Sequence, residues 1–165
     1  MDGKKVLITG GNSGIGIITA TELARLGAEV ILACRDTEKT AAALQVINAS
    51  AKVPAVNLPV ELGSLASVRA LAENYLSTHD RLDVLLNNAG VFPPKARETD
   101  DGFEMQFGVN HLSHFLLTNL LLDCLKASAP SRVITVSSKL HNNGELALDA
   151  VRGYEKYNKI GRAHV

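Results

Sequence analysis

The sequence contains no tryptophan, only 4% aromatic residues and two cysteines in 165 positions, and its 17 basic side chains are balanced by 17 acidic ones. Each shortage narrows the field. Two cysteines as far apart as Cys34 and Cys124 make neither a disulfide framework nor a zinc site, and they read as buried thiols in a reducing compartment. Zero net charge removes the electrostatic motive for a nucleic-acid or acidic-membrane partner. The most apolar stretch, Phe115 to Leu125, is broken by Thr118, Asn119 and Asp123 and is too short to span a bilayer. The charged start, Met1-Asp2-Gly3-Lys4-Lys5, runs straight into an apolar strand, so neither a signal peptide nor an N-terminal anchor is expected. His111 and His114 stand three apart with no carboxylate or cysteine at ligand spacing, and no metal site is expected at them or at His141. What remains is a cytoplasmic globular chain of a length that suits one domain, since about 150 residues bury roughly two-thirds of the unfolded surface.

Short β-branched runs alternate with longer helical periods, the pattern of βαβ units on a parallel sheet. Val6-Leu7-Ile8-Thr9 reads as a first strand buried on both faces. Ile15 to Leu26 reads as a helix, with Ile15, Ile18, Leu23 and Leu26 at near-helical spacing and Gly27 as its stop. Glu29 to Ala33 is a second strand, Thr37 to Asn48 a second helix capped at Asp36 or Thr37, and Val53 to Leu58 a third strand that Pro54 confines to a sheet edge. A third helix runs from Ser64 to Ser77 and buries Leu65, Val68, Leu71, Ala72 and Leu76. Asp83 to Leu86 is the fourth strand, Phe103 to about Lys126 one long helix, and Arg132 to Val136 the fifth strand. Beyond Ser138 only the turn signal Asn142-Asn143-Gly144 stands out.

Between the first strand and the first helix lies Thr9-Gly10-Gly11-Asn12-Ser13-Gly14-Ile15-Gly16. Gly10 permits a tight exit from the strand, Gly14 lets the backbone approach a pyrophosphate, and Gly16 lets the helix pack closely on the sheet. Such an anion sits at the helix N-terminus, facing open N–H groups and the positive end of the dipole. The spacing Gly-x-x-x-Gly-x-Gly resembles that of the short-chain dehydrogenase/reductase family. Asn87-Asn88-Ala89-Gly90 after the fourth strand, Asn110 in the long helix and Val136-Ser137-Ser138 ending the fifth strand extend the resemblance. Ala33-Cys34-Arg35-Asp36, Asp101-Gly102-Phe103-Glu104, Val109-Asn110-His111 and Ser128-Ala129-Pro130-Ser131-Arg132 look like the retinol dehydrogenase branch. The resemblance covers Lys4 to about Lys159 and implies a doubly wound α/β domain over 1–159 with strand order 3-2-1-4-5.

By resemblance, Gly10, Asn12, Ser13, Gly14, Ile15, Gly16, Arg35, Glu61, Leu62, Asn87, Ala89 and Gly90 would hold a nicotinamide dinucleotide. Where an NAD enzyme usually places an acidic residue, this chain has Cys34 and then Arg35, whose guanidinium fork suits the 2′-phosphate of NADP. Arg35 as a solvated loop residue, with Asp36 reaching the ribose, is the alternative. Glu61 stands where the family has an Asp that touches the adenine amino group. Asn87 is also partly a strand-stabilising residue in the family.

The family's chemistry moves a hydride between the nicotinamide and an alcohol or carbonyl carbon. A Ser, a Tyr, a Lys four residues after the Tyr, and an Asn serve that step. Ser138 and Asn110 match the Ser and the Asn, while Ser137 should face the other side of its strand. The Tyr-x-x-x-Lys pair has no match: four residues after Tyr75, Tyr154 and Tyr157 stand His79, Asn158 and Gly161. Glu155-Lys156-Tyr157 resembles the family segment just upstream of that Tyr. The residues from Ile160 to Val165 (160–165) have no family counterpart, resemble a translated sequencing-library adapter, and are expected to be a non-native tail. The chain is therefore expected to be the N-terminal part of an oxidoreductase acting on a small lipophilic alcohol or carbonyl, inactive as it stands. A non-catalytic dinucleotide-binding module and a non-binding gene fragment are the alternatives. The intact protein would be a cytoplasmic homodimer, with peripheral association with internal membranes also open. Val133 to Val136 and the outer face of the long helix are expected to be exposed.

Overall fold

The computed structural model describes residues 1–139 and 151–152. His141, the turn at Asn142-Asn143-Gly144, Tyr154, Tyr157, Lys159 and the tail 160–165 lie outside the described residues. Among the described residues the chain alternates strand and helix in the order β1 (Lys5–Thr9), α1 (Gly14–Arg25), β2 (Glu29–Cys34), α2 (Glu38–Asn48), β3 (Val56–Pro59), α3 (Leu65–Thr78) and β4 (Val84–Asn87). A π-helical turn (Phe107–Leu112), α4 (Ser113–Leu120), α5 (Leu122–Ala127) and β5 (Arg132–Thr135) follow. The strands form one parallel sheet in the order β3-β2-β1-β4-β5, as the resemblance implied.

Period-two alternation divides the core. Leu7, Ile31, Ala33 and Leu85 point to one face, where they meet Val68, Leu71 and Tyr75 of α3 and Leu117 of α4. Val6, Ile8, Val30, Leu32 and Leu86 point to the other, against Ala20 and Ala24 of α1 and Ile47 of α2. The central strands are covered on both faces, which is why their sequences read as unbroken apolar runs.

Several boundaries and faces differ from the sequence reading. Helix α1 buries Gly16, Ala20 and Ala24, whereas Ile15 and Ile18 are 69% and 71% exposed. A stripe of small residues at i, i+4 and i+8 brings the helix axis close to the sheet, and the larger side chains are displaced outward. In α3 the buried position expected of Leu76 belongs to Tyr75, whose hydroxyl donates to the Arg81 carbonyl at 2.7 Å. Strand β3 begins only at Val56, past Pro54, and does lie at the sheet edge. The long helix expected from Phe103 to Lys126 is broken at both ends. Phe103 and Glu104 make bridges to Arg152 and Glu98, and Leu121 separates α4 from α5. Cys34 is buried, but Cys124 is only half-buried. Edge strand β5 leaves Val133 and Ile134 exposed, and Phe115 is exposed on α4.

At the N-terminal ends of β1 and β4 the buried Asp83 carboxylate accepts from Lys4 Nζ (2.8 Å), the Lys5 amide (2.9 Å) and the Arg81 guanidinium (2.7 Å). Burial works to raise its pKa, but the Arg81, Lys4 and Lys5 donors outweigh it and hold the carboxyl well below the usual carboxylate range. A depressed folded-state pKa contributes stability that is present above the unfolded value near ~3.9 and is lost as pH falls toward the folded value. Asp83→Asn is expected to cost about 2–3 kcal/mol at neutral pH. It should also flatten the loss of stability below about pH 4, measured by urea unfolding across a pH series.

Candidate active site

Strands β1, β2 and β4 end beside one another, and their exits wall a cavity of about 860 Å³. Gly10, Asn12, Ser13, Ile15, Gly16, Arg35, Glu61, Leu62, Ala89 and Gly90 all line it, so the expected dinucleotide residues converge although they come from four separate turns. Two stand apart. Gly14 lies on the same loop at φ +53°, with open space where a Cβ would point. Asn87 is buried in β4, its amide donating to Thr118 Oγ1 at 3.1 Å, and it lines neither cavity.

The glycine loop is held by contact. A Cβ on Gly16 would collide with the Gly10 carbonyl oxygen and come within 2.6 Å of Asn88 Nδ2; one on Gly10 would lie 2.9 Å from Ala89 Cα. Ser13 caps α1 in an extended conformation without a side-chain bond to the first turn. The Asn88 amide donates to the carbonyls of Thr9 (2.9 Å) and Gly10 (3.2 Å), lashing the β4 exit to the loop. At the end of β2, burial pushes the Cys34 thiol pKa up, against the pull of the Asn12, Gly11 and Gly10 amides. Beyond it Arg35 is largely exposed, with Nη1 3.9 Å from Glu61 Oε2, and Glu61 Oε1 accepts from the Gly63 amide at 3.0 Å. Lys39, in the first turn of α2, also lines the cavity, a cation four residues after Arg35 that the sequence reading missed because spacing alone does not show which side of α2 meets the cavity.

A second cavity, about 330 Å³, shares the Asn88–Phe92 wall and holds Asn110, Ser137 and Ser138. Ser137 was expected to face away; β5 ends at Thr135, so strict alternation no longer applies at 136–138. The Asn110 side chain pairs with Val91, accepting from its amide at 2.8 Å and donating to its carbonyl at 3.1 Å. The Asn110 backbone carbonyl lies 3.0 Å from His114 Nδ1, a contact with no signature in the sequence.

The family model for short chain dehydrogenases matches residues 4–150. The chain belongs to the short-chain dehydrogenase family. Retinol dehydrogenase 14 of Mus musculus is 52% identical over 170 residues, covering 96% of this chain and 51% of that relative. The chain thus spans about half the length of the curated relatives it matches. A crystal structure of an uncharacterised protein from Mycobacterium paratuberculosis superposes with a TM-score of 0.81 at 41% identity, covering 98% of this chain and 56% of that one. The RhlG/NADP active-site complex of Pseudomonas aeruginosa gives 0.75 at 30%, covering 93% and 60%. The two demands on the glycine loop separate by substitution. Gly16→Ala is expected to destabilise by about 1–3 kcal/mol through overpacking. Gly14→Ala meets only the left-handed backbone penalty, about 1–2 kcal/mol. Urea unfolding of the two variants, with crystal or NMR mapping of the Asn88 contacts, checks this: only Gly16→Ala should disturb Asn88.

Proposed function

We propose that the chain is the dinucleotide-binding portion of an NADP-dependent oxidoreductase similar to the retinol dehydrogenases, interconverting a lipophilic alcohol and its carbonyl. The observation that carries this reading is the convergence of the glycine loop, Arg35 with Lys39, Glu61 and the Ala89-Gly90 turn on one cavity. The cradle fits such a group: side chains are excluded at Gly10 and Gly16 by backbone contact, and the first turn of α1 opens without a side-chain cap. Bound there, NADP would supply the hydride acceptor, and NADPH the donor.

The chain's own residues divide the work. The α1 N-terminus, with Gly14 bare of a side chain, would bind the pyrophosphate, and Ile15 would cover it. Arg35 and Lys39 would meet the 2′-phosphate with charge-assisted hydrogen bonds. Glu61 and Leu62 would border the adenine. Asn87 would support the ribose wall from inside β4, and Ala89 and Gly90 would form that wall. In the second cavity the Ser138 hydroxyl would hold the substrate oxygen, and Asn110 would set the turn beside it. We place the protein in the cytoplasm, with contact to internal membranes and a homodimer as properties of the intact form; among the described residues no helix is long and apolar enough to cross a membrane.

A second reading, binding without turnover, is favoured by the missing Tyr-x-x-x-Lys spacing. Tyr75 does not substitute for it, being buried on the inner face of α3 with its hydroxyl donated to the Arg81 carbonyl. NADPH fluorescence titration of the chain should show saturable binding, and Arg35→Ala should reduce the preference for NADPH over NADH by roughly ten- to a hundredfold, the worth of a charge-assisted bond. An unchanged preference would remove the NADP assignment. Hydride transfer above the level of Ser138→Ala supports the catalytic reading; binding without it supports the second.

A further inference from the structure

The turn that carries Asn110 is wound too wide for an α-helix: the Ser113 amide donates to the Gly108 carbonyl, five residues back. Where a π-turn passes into an ordinary helix, the i→i−4 ladder loses a step, and carbonyls at the junction fall short of backbone donors. Two side chains donate at this junction. Ser113 Oγ reaches the Val109 carbonyl at 2.6 Å, and His114 Nδ1 reaches the Asn110 carbonyl at 3.0 Å. A π-turn at this point is therefore matched by polar residues immediately after it, in positions where an amphipathic helix would carry core.

The polarity of the His114 contacts follows from the valence of each atom. A carbonyl oxygen only accepts, so the Nδ1 atom carries the ring proton. His114 is 4% exposed, and burial, opposed by the bond to Asn110 and aided by His111, lowers its pKa, which favours the neutral ring at neutral pH. Its Nε2 is then an acceptor, 2.9 Å from Thr9 Oγ1. Thr9 has one hydroxyl proton, and the Asn88 and Ala89 amides already donate to its oxygen at 3.0 Å each. That proton goes to His114. Every link has one direction: from the Asn88 and Ala89 amides to Thr9, to His114, to the Asn110 carbonyl.

We propose that His114 is a positioning residue whose imidazole, fixed as the Nδ1–H tautomer, ties the Asn110 turn to the Thr9 hydroxyl and so to the turn at Asn88 and Ala89. The consequence is a closed circuit of supports around residues 88–91. Thr9 holds its start, the Asn110 amide pins Val91 at its end, and His114 joins the two anchors beneath. These residues form the wall shared by the two cavities, so the His114 side chain, together with the Asn110–Val91 pair, ties the placement of Asn110 to the wall that would border the dinucleotide. This bearing on the dinucleotide rests on the function proposed above; the hydrogen-bond circuit does not.

Long-range proton–nitrogen NMR of the histidine-labelled chain at neutral pH tests the assignment directly. The expected spectrum for His114 is a protonated Nδ1 and a bare, hydrogen-bonded Nε2; an Nε2–H tautomer or an imidazolium overturns the proposal. His114→Phe keeps the ring volume but removes both polar contacts. It should speed amide exchange at Asn88 and Ala89 and weaken NADPH binding, each by about tenfold. His114→Gln, which can still offer one donor and one acceptor, should recover part of both losses. Exchange at Asn88 and Ala89 that is unchanged in both variants overturns the proposal. If wild-type chain binds no NADPH, the dinucleotide reading fails, and the tautomer and exchange data still decide the role of His114. If His114→Phe does not fold, the tautomer spectrum and the Gln variant decide it.

Discussion

Two backbone turns pressed against one another set the geometry of this molecule: the exit of β1 at Gly10 and the exit of β4 at Asn88-Ala89. There is no room for a side chain between Gly10 and Ala89, nor between Gly16 in the first turn of α1 and the Gly10 carbonyl. Because β1 and β4 are parallel neighbours, both exits leave the sheet at the same edge. From there the chain turns to opposite sides, toward β2 and toward β5, and leaves a crevice at the point where strand order reverses. Arg35 and Ser138 reach the crevice from the ends of β2 and β5, the strands paired to β1 and β4 on either side of that contact.

The β1–β4 pair is held by different physics along its length. At its N-terminal end a buried carboxylate, Asp83, gathers an ammonium, a guanidinium and a backbone amide. The middle is apolar on both faces, with Leu7 beside Leu85 and Ile8 beside Leu86. At the C-terminal end the polar groups return as hydroxyl, imidazole and amide, neutral partners in fixed geometry rather than ion pairs. Neutral partners at that end add no charge to the Asn88-Ala89 wall; the charges that line the cavity come from other segments, among them the cations of Arg35 and Lys39 and the Glu61 carboxylate beside Arg35.

Much of this was legible before any coordinates. The sheet order, the strand-turn-helix setting of the glycine loop and the convergence of Arg35, Glu61 and Ala89-Gly90 followed from motifs in register. Legibility failed where side-chain volume or backbone winding, rather than hydrophobicity, decided the outcome. Ile15 and Ile18 look like the core of α1, but the close helix–sheet approach admits only Gly16, Ala20 and Ala24. The stretch from Phe103 to Lys126 reads as one helix, yet the bridges at Phe103 and Glu104 and the π-turn at Phe107–Leu112 break the repeat. A widened turn changes the hydrogen-bond partner by one residue, and residue periodicity is nearly blind to that.

The sequence by itself determined the class of fold and the chemistry available to it, because strand and helix periods and glycine spacing are local properties that survive in one dimension. Tertiary structure alone decided which helix face is buried, that Lys39 joins Arg35, that Ser137 and Ser138 share a cavity, and that His114 connects Asn110 to Thr9. Each of these depends on how elements far apart in the chain pack against one another, even where the two residues named are near neighbours in sequence. His114 and Thr9 are separated by 105 positions, and no pattern along the sequence carries the 2.9 Å between them.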